Sequence, residues 1–363
     1  MRRLAAECGF ELAGVTPAAP VADHARYADW VERGMAGRMG YLTDHRAALR
    51  ADPRNLLPSA RSVICAGKLY NTPQPYSTEF SGDELAWISR YAWGEDYHPL
   101  LRRGLETLAA LLGVEHEWRV CVDTAPLPER SLARDAGIGW IGRNTCLINQ
   151  HAGSWFFLGE LLTSLEIESD AAPADRCGSC TRCIDACPTQ ALTPYELDAT
   201  RCIAYLTIEL RGPIEERLRG AMGAHVFGCD ICQDVCPWNR RAASTAEPAF
   251  EARNFAPPLE RLASLTEAEF QKMFQGTPVP RAKYTGFLRN VAVAIGNSGN
   301  PRLAPVLERL ASSANSVVAE HARWALTQIE MASHALQYGE TESARANPAS
   351  WSRIIMAGEG RVE

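Results

Sequence analysis

Residues 177–188 read CGSCTRCIDACP, a C-x2-C-x2-C-x3-C run closed by a proline. Three closely spaced thiolates can each bind one iron of a cubane, and the fourth reaches a neighbouring cluster in two-cluster ferredoxins. A second run ending in Cys-Pro is then required, and CDICQDVCPW supplies it with Cys229, Cys232, Cys236 and Pro237. That run is one ligand short, because Val226 stands three residues before Cys229; Cys202, between the runs, is the natural replacement. Crossing the fourth ligands assigns Cys177, Cys180, Cys183 and Cys236 to one [4Fe–4S] cluster, and Cys187, Cys202, Cys229 and Cys232 to the other. Zinc sites favour paired CxxC motifs without a third cysteine and a Cys-Pro ending, and a redox dithiol has no use for six more thiols. Clusters closed by four cysteines offer no open iron to a substrate, so they carry electrons. Cys8, Cys65, Cys121 and Cys146 lie among apolar residues and read as buried small hydrophobes.

What those electrons are for must be sought in the first region, where two features stand out. GIGWIG at 137–142 matches the dinucleotide fingerprint G-x-G-x-x-G, but a helical pattern precedes it and a strand pattern follows, the reverse of the required order. Gly137 is better read as a helix C-cap. Asp123 ends a strand-like WRVCV segment ahead of a proline-containing turn. An apolar cleft would raise its pKa and make it a general acid; capping the next helix or satisfying the turn is the plainer role.

The elements around these residues alternate in type. RRLAAECGF reads as a helix stopped at Gly9, SVICAGKLY as a β-branched strand, DYHPLLRRGLETLAALLG as a helix with Pro99 at its start, and SWFFLGELL as an aromatic-rich strand. Beyond the polar linker at 168–177 and the cysteine region, KYTGFLRNVAVAIGNSGN, PRLAPVLERLASSAN and SVVAEHARWALTQIEM read as three apolar-striped helices, with Asn300 and Asn315 as cap signals. Their pairing is similar to HEAT-type repeats, which need a neighbour to bury one face. The expected fold class is α+β, divided into residues 1–168, 169–245, 246–336 and a patternless tail over 337–363. With 363 residues, a large core needs no disulfides, so twelve cysteines point to metal or reactive thiols in a reducing compartment. Glu7 and Glu11 interrupt the run after the N-terminal arginines before any signal-like apolar region forms, and no stretch reaches the ~18 apolar residues of a membrane helix. A cytoplasmic protein without a membrane partner is expected.

In combination, MGYLTDHRAALRADPRNLLPSARSVI, SRYAWGEDYH, VDTAPLPERSLARDAGIGWIGRNT, GSWFFLGELL and RCIAYLTIELRG, in this order around the cysteine runs, resemble the epoxyqueuosine reductase family over most of residues 1–240. The resemblance implies that the first domain binds cobalamin. It also implies a tRNA substrate carrying epoxyqueuosine in its anticodon loop, and a two-electron, two-proton removal of the epoxide oxygen as water. The clusters would reduce cob(II)alamin to cob(I)alamin one electron at a time, fed by an external donor of flavodoxin or ferredoxin type. Asp123 matches the family's proton donor; Arg143 and Asn144 match a loop near the corrin, with Arg50 and Tyr91 as further corrin contacts.

A net charge of −6 gives no global attraction for RNA, so a tRNA must meet a local basic patch and stack its loop bases. Arg211, Arg240, Arg241, Arg281, Lys283 and Arg289 are the candidate phosphate contacts on an expected monomer. Two rivals remain at this level. A reductive dehalogenase-like cobalamin enzyme would normally carry an export signal, and a two-cluster electron carrier would leave the first domain without a use.

Overall fold

The computed structural model describes residues 1–80, 82–113 and 115–337; the tail expected over 337–363 lies, beyond its first residue, outside the described residues. Four strands, β1 (Leu12–Pro17), β2 (Ser62–Leu69), β3 (Trp118–Cys121) and β4 (Phe156–Thr163), form one antiparallel sheet in the order β1-β2-β4-β3. Every residue of β2 is buried, which explains the apolar run over residues 63–67: helices cover both faces. Helices α1 (Arg2–Glu7) and α2 (Tyr97–Leu111) pack on one face, where Leu101, Leu105 and Leu108 meet Ile64, Ala66 and Leu161. Helix α3 (Glu129–Asp135) covers the other, where Leu132 and Ala133 meet Val63, Cys65, Cys121 and Leu162. Asp96 caps α2 by accepting from the His98 N–H, so the helix begins two residues before Pro99. Gly14 lets β1 approach α3 closely: a Cβ there would lie 1.8 Å from the Ala136 carbonyl oxygen. Gly137 follows α3 with φ +79°, a left-handed C-terminal residue.

The cysteine region is built of short turns. One helical turn, Arg182–Asp185, follows the first CxxC pair and another, Ile231–Asp234, lies within the second run. His225–Phe227 pairs in parallel with Trp87–Ile88, tying the cysteine region to the first. The last third is helical: α4 (Tyr284–Ser298), α5 (Ala304–Ala311) and α6 (Ser316–Gln337). The side chains of Asn300 and Asn315 accept backbone N–H groups at the starts of the segments they precede. Val291, Ile295, Leu307 and Ala322 of this layer share one core with Trp87, Trp93 and Phe227. The helices therefore complete a core begun by the other two regions.

Arg289 decides how α4 is held, and it corrects an expectation. It is 1% exposed, so it is no phosphate contact. Its guanidinium donates to the carbonyls of Leu206, Leu210 and Gly212 and to Asn290 Oδ1. Burial pushes its pKa down to about 10, leaving it charged at neutral pH and fastened to the helix Ile203–Ile208 and the turn that follows it. Arg289→Met should therefore lower stability by about 3 kcal/mol through several orphaned carbonyls. Urea denaturation of the folded holoprotein would check this.

Candidate functional site

The seven cysteines of the two runs and Cys202 are all free, and the fold gathers them into two groups. Burial raises the thiol pKa of Cys183 to about 11 and of Cys236 to about 12, and the nearness of Cys177 adds to both; Cys180 also faces Cys183. In the other group burial raises Cys202 and Cys229, with Cys187 adding to each. Cys232 is raised first by a hydrogen bond with Cys146, then by burial and by Cys229 and Cys202. No three or more His, Cys, Asp or Glu side chains among the described residues converge to hold a single metal ion. Thiolates around a cubane each face a different iron, so they need not converge. Cys146 corrects an expectation: it is half-buried against Cys232 and also faces Cys202 and Cys236, a ninth thiol beside both groups.

Asp123 sits two residues beyond the end of β3 with φ +49°. Its N–H donates to Glu129 Oε1 at 2.6 Å, in the first turn of α3. Its Oδ2 accepts from His98 Nε2 at 3.2 Å and lies 3.6 Å from Arg281 Nη1. The other imidazole nitrogen of His98 is 2.6 Å from Asp96 Oδ1. Arg281 Nε donates to Glu209 Oε1 at 2.6 Å, and its guanidinium lies over the Tyr41 ring at 5.7 Å. The junction thus draws Asp123 and His98 from the first region, Glu209 from the cysteine region and Arg281 from the approach to α4.

Charge at this junction alternates. Hydrogen bonds donated to Asp123 and then to Asp96 raise the His98 pKa to about 9 against the opposing effect of burial. Burial alone would raise Asp123, but His98 and Arg281 outweigh it and hold the carboxyl below its usual range. At neutral pH the proton therefore resides on His98, facing an ionised Asp123 whose side chain is 38% exposed. Such a pair can deliver a proton through Asp123 to an atom placed against it.

The remaining candidates fall in different places. Tyr91 reaches the junction: burial raises its hydroxyl pKa, and Arg281 and Asp123 are the first charges it meets. Arg281, expected as a phosphate contact, is instead tied to Asp123 and Glu209. Arg143 donates to the Gly178 carbonyl at 2.6 Å and stacks over Tyr195, while buried Asn144 donates to the Cys232 carbonyl. Both clasp the cysteine region rather than standing free. Arg50 is buried over the Tyr27 ring and donates to the Arg46 carbonyl. Arg211 is exposed, but its guanidinium bonds the carbonyls of Ile208, Arg281 and Ala282. Lys283, Arg240 and Arg241 are exposed. Sequence reasoning missed His98, Glu129, Glu160 and Glu209; only Glu160, a carboxylate inside the apolar run FFLGELL, carries a local signal.

Comparison with known proteins adds family relationships. The family model described as epoxyqueuosine reductase QueG matches residues 50–124, and the 4Fe-4S double cluster binding domain matches residues 176–239. The epoxyqueuosine reductase of Xanthomonas campestris is 43% identical over 338 residues, covering 90% of this chain and 95% of its own. That of Escherichia coli is 39% identical over 331 residues, covering 89% and 86%. A crystal structure of epoxyqueuosine reductase with an epoxyqueuosine-modified tRNA stem loop superimposes with a TM-score of 0.83 at 28% identity, covering 98% of this chain and 96% of that one. The Bacillus subtilis enzyme, solved with its aspartate-bearing catalytic loop swung out of the active site, gives 0.82 at 27% identity, covering 98% and 96%.

Two outcomes follow from this geometry. The pKa of His98 is raised from 6.5 to about 9, so its ion pairing stabilises the fold fully below about pH 6.5 and is lost as pH rises through about 9. The melting-temperature gap between wild type and His98→Gln should shrink across that window in a pH series. Cys202→Ser should lose the cluster of the Cys187 group and keep the other, read as iron content and electron paramagnetic resonance of the reduced protein.

Proposed function

The chain belongs to the epoxyqueuosine reductase family, and on that premise we propose that it reduces epoxyqueuosine to queuosine in the anticodon loop of tRNA. The observation that carries the reading is the Asp123–His98–Arg281 junction, a proton-holding pair with one solvent-open edge, in a chain that also has a domain for two [4Fe–4S] clusters. We assign Cys177, Cys180, Cys183 and Cys236 to one cluster and Cys187, Cys202, Cys229 and Cys232 to the other. The domain boundaries follow the composition shifts at residues 168 and 245, with a HEAT-like helical domain over 246–336.

Cobalamin is the cofactor this reading requires beside the clusters, and the residues at the junction fit it. Corrin nitrogens already surround the cobalt, so the protein need offer hydrogen-bonding surfaces and no cage of metal ligands. The Tyr41 and Tyr91 hydroxyls, the Arg281 guanidinium and the Asp123 carboxylate are groups of that kind. When bound, cobalamin fed by the clusters would supply the electron pair that opens the epoxide.

The balance is epoxide plus two electrons and two protons giving alkene plus water. Asp123 passes one proton to the epoxide oxygen as the C–O bond breaks, taking it from His98 Nε2, and Asp96 steadies the other face of the imidazole. Arg281 keeps Asp123 ionised between turnovers and thus ready to accept the next proton. The second proton, needed as the hydroxyl leaves as water, reaches Asp123 along its exposed edge. The catalytic aspartate loop of the Bacillus subtilis relative supports this role for the Asp123 turn, which we take as its counterpart. Exposed Lys283, Arg240 and Arg241 are the cations we assign to tRNA phosphates, with Arg211 shaping the surface between them. The reading is of a cytoplasmic monomer served by a flavodoxin- or ferredoxin-type donor.

Anaerobic reconstitution with iron, sulfide and cobalamin, followed by reductant and epoxyqueuosine-containing tRNA, should yield queuosine by nucleoside mass spectrometry only when cobalamin is present. Asp123→Asn should keep both clusters and cobalamin but lose turnover by about a hundredfold or more. Undiminished turnover would remove Asp123 from the chemistry.

A further inference from the structure

Glu160 stands in the middle of β4, opposite Cys65 of β2 and Cys121 of β3, and is 0% exposed. No N–H or O–H among the described residues donates to either of its oxygens. An isolated carboxylate so placed would cost several kcal/mol. The side chain it meets is the carboxyl of Glu129, at the start of α3. Two carboxyl oxygens attract each other only with a proton between them. Burial, then mutual repulsion, raises Glu160 well above its usual range; burial, then Asp123, raises Glu129 to about 7. The other titratable groups facing the pair are Cys65, Cys121, Asp123 and Tyr97, with Asp135 farther along α3 facing Cys65. Arg130 is the cation that faces Glu129, and it donates to the Thr145 carbonyl at 2.6 Å.

Glu129 has a second engagement, its 2.6 Å bond from the Asp123 N–H. Asp123 holds a left-handed φ of +49°, a conformation that costs a non-glycine residue roughly 1–2 kcal/mol and needs support. We propose that Glu129 and Glu160 are positioning residues for the reaction: they share one proton, which holds Glu129 beneath the Asp123 N–H and so keeps the catalytic turn aimed, and its loss releases the turn. Ionisation of both would set two carboxylates against each other beside ionised Asp123, with Arg130 the cation that faces Glu129 and with His98 and Arg281 engaged on Asp123. Glu129, the member at the mouth of α3, would then swing away from buried Glu160 and give up the Asp123 N–H. The inference rests on the assignment of Asp123 as proton donor.

The first readout needs neither substrate nor cofactor turnover. Hydrogen exchange of the Asp123 amide, taken relative to its intrinsic rate, should show protection in wild type that disappears in Glu129→Ala and returns in Glu129→Gln, whose amide oxygen can still accept. In wild type, protection should also fall as pH rises past neutrality; in Glu160→Gln, which bonds Glu129 through an N–H that does not titrate, it should hold. With tRNA, Glu129→Ala should lose about tenfold to a hundredfold in kcat at unchanged KM, as a misplaced catalytic group does, and Glu129→Gln should recover most of it. Equal protection in wild type and Glu129→Ala, or identical pH dependence of protection in wild type and Glu160→Gln, would overturn the proposal. Circular dichroism and iron content identify any variant that has simply misfolded, and Glu129→Gln, altered by one atom at a half-buried site, keeps the test available. Failure of Asp123→Asn to impair turnover would instead strike the role on which the inference rests, leaving the exchange result to stand separately.

Discussion

In the role we propose for Asp123, a general acid at neutral pH must keep its proton close without losing it to solvent, and that constraint would account for how the junction around it is built. The Asp123 carboxylate lies between an imidazole at 3.2 Å and a guanidinium at 3.6 Å. Each partner is in turn neutralised by a carboxylate of its own, Asp96 for His98 and Glu209 for Arg281. Such an alternating chain needs five side chains within reach of one another, and no single helix or hairpin supplies them. Three regions of the chain must close on one point, so the depth of the shared core of Trp87, Phe227 and Ile295 is part of the chemistry.

The same closure joins the electron-carrying part to the proton-carrying part. Arg289 fastens α4 to the carbonyls of Leu206, Leu210 and Gly212, which bracket Glu209. Arg211 bonds the carbonyls of Arg281 and Ala282. On the far side of the cysteine region, Asn144 and Arg143 grip the Cys232 and Gly178 carbonyls. Four cationic or amide side chains that could each be taken for ligand contacts thus act on backbone carbonyls. Several arginines bond backbone carbonyls rather than forming an electrostatic surface for RNA.

Much of this was legible in residue pattern where the relevant physics is local. The stretch 63–67 of β2 is apolar because both sheet faces are covered, and α2 repeats leucine at helical spacing because one stripe meets the sheet. The cysteine runs could be parsed because cluster geometry fixes ligand spacing along the chain. Arg289 was misjudged as a surface cation because its acceptors lie about eighty residues away in sequence, although its apolar neighbours in FLRNVAVAI hinted at burial. Arg281 was invisible as a partner of Asp123 for the same reason, since it joins it across more than 150 residues. Cys146 looked like a core cysteine because its apolar flanks said nothing of Cys232 across the fold.

Glu160 is the instructive exception, because a local pattern did mark it and pattern alone could not interpret it. A carboxylate inside FFLGELL breaks the apolar register of a strand otherwise committed to the core. Had its partner been an arginine, the pair would have been a buried ion pair whose removal is nearly neutral when both members go together. Its partner is another acid, so the site exists only with a proton in it. That makes the interior of the sheet sensitive to a quantity the rest of the core ignores. It places that sensitivity directly beneath the turn that carries Asp123, where, in the role we propose for that residue, a small change in backbone position would be felt in the chemistry.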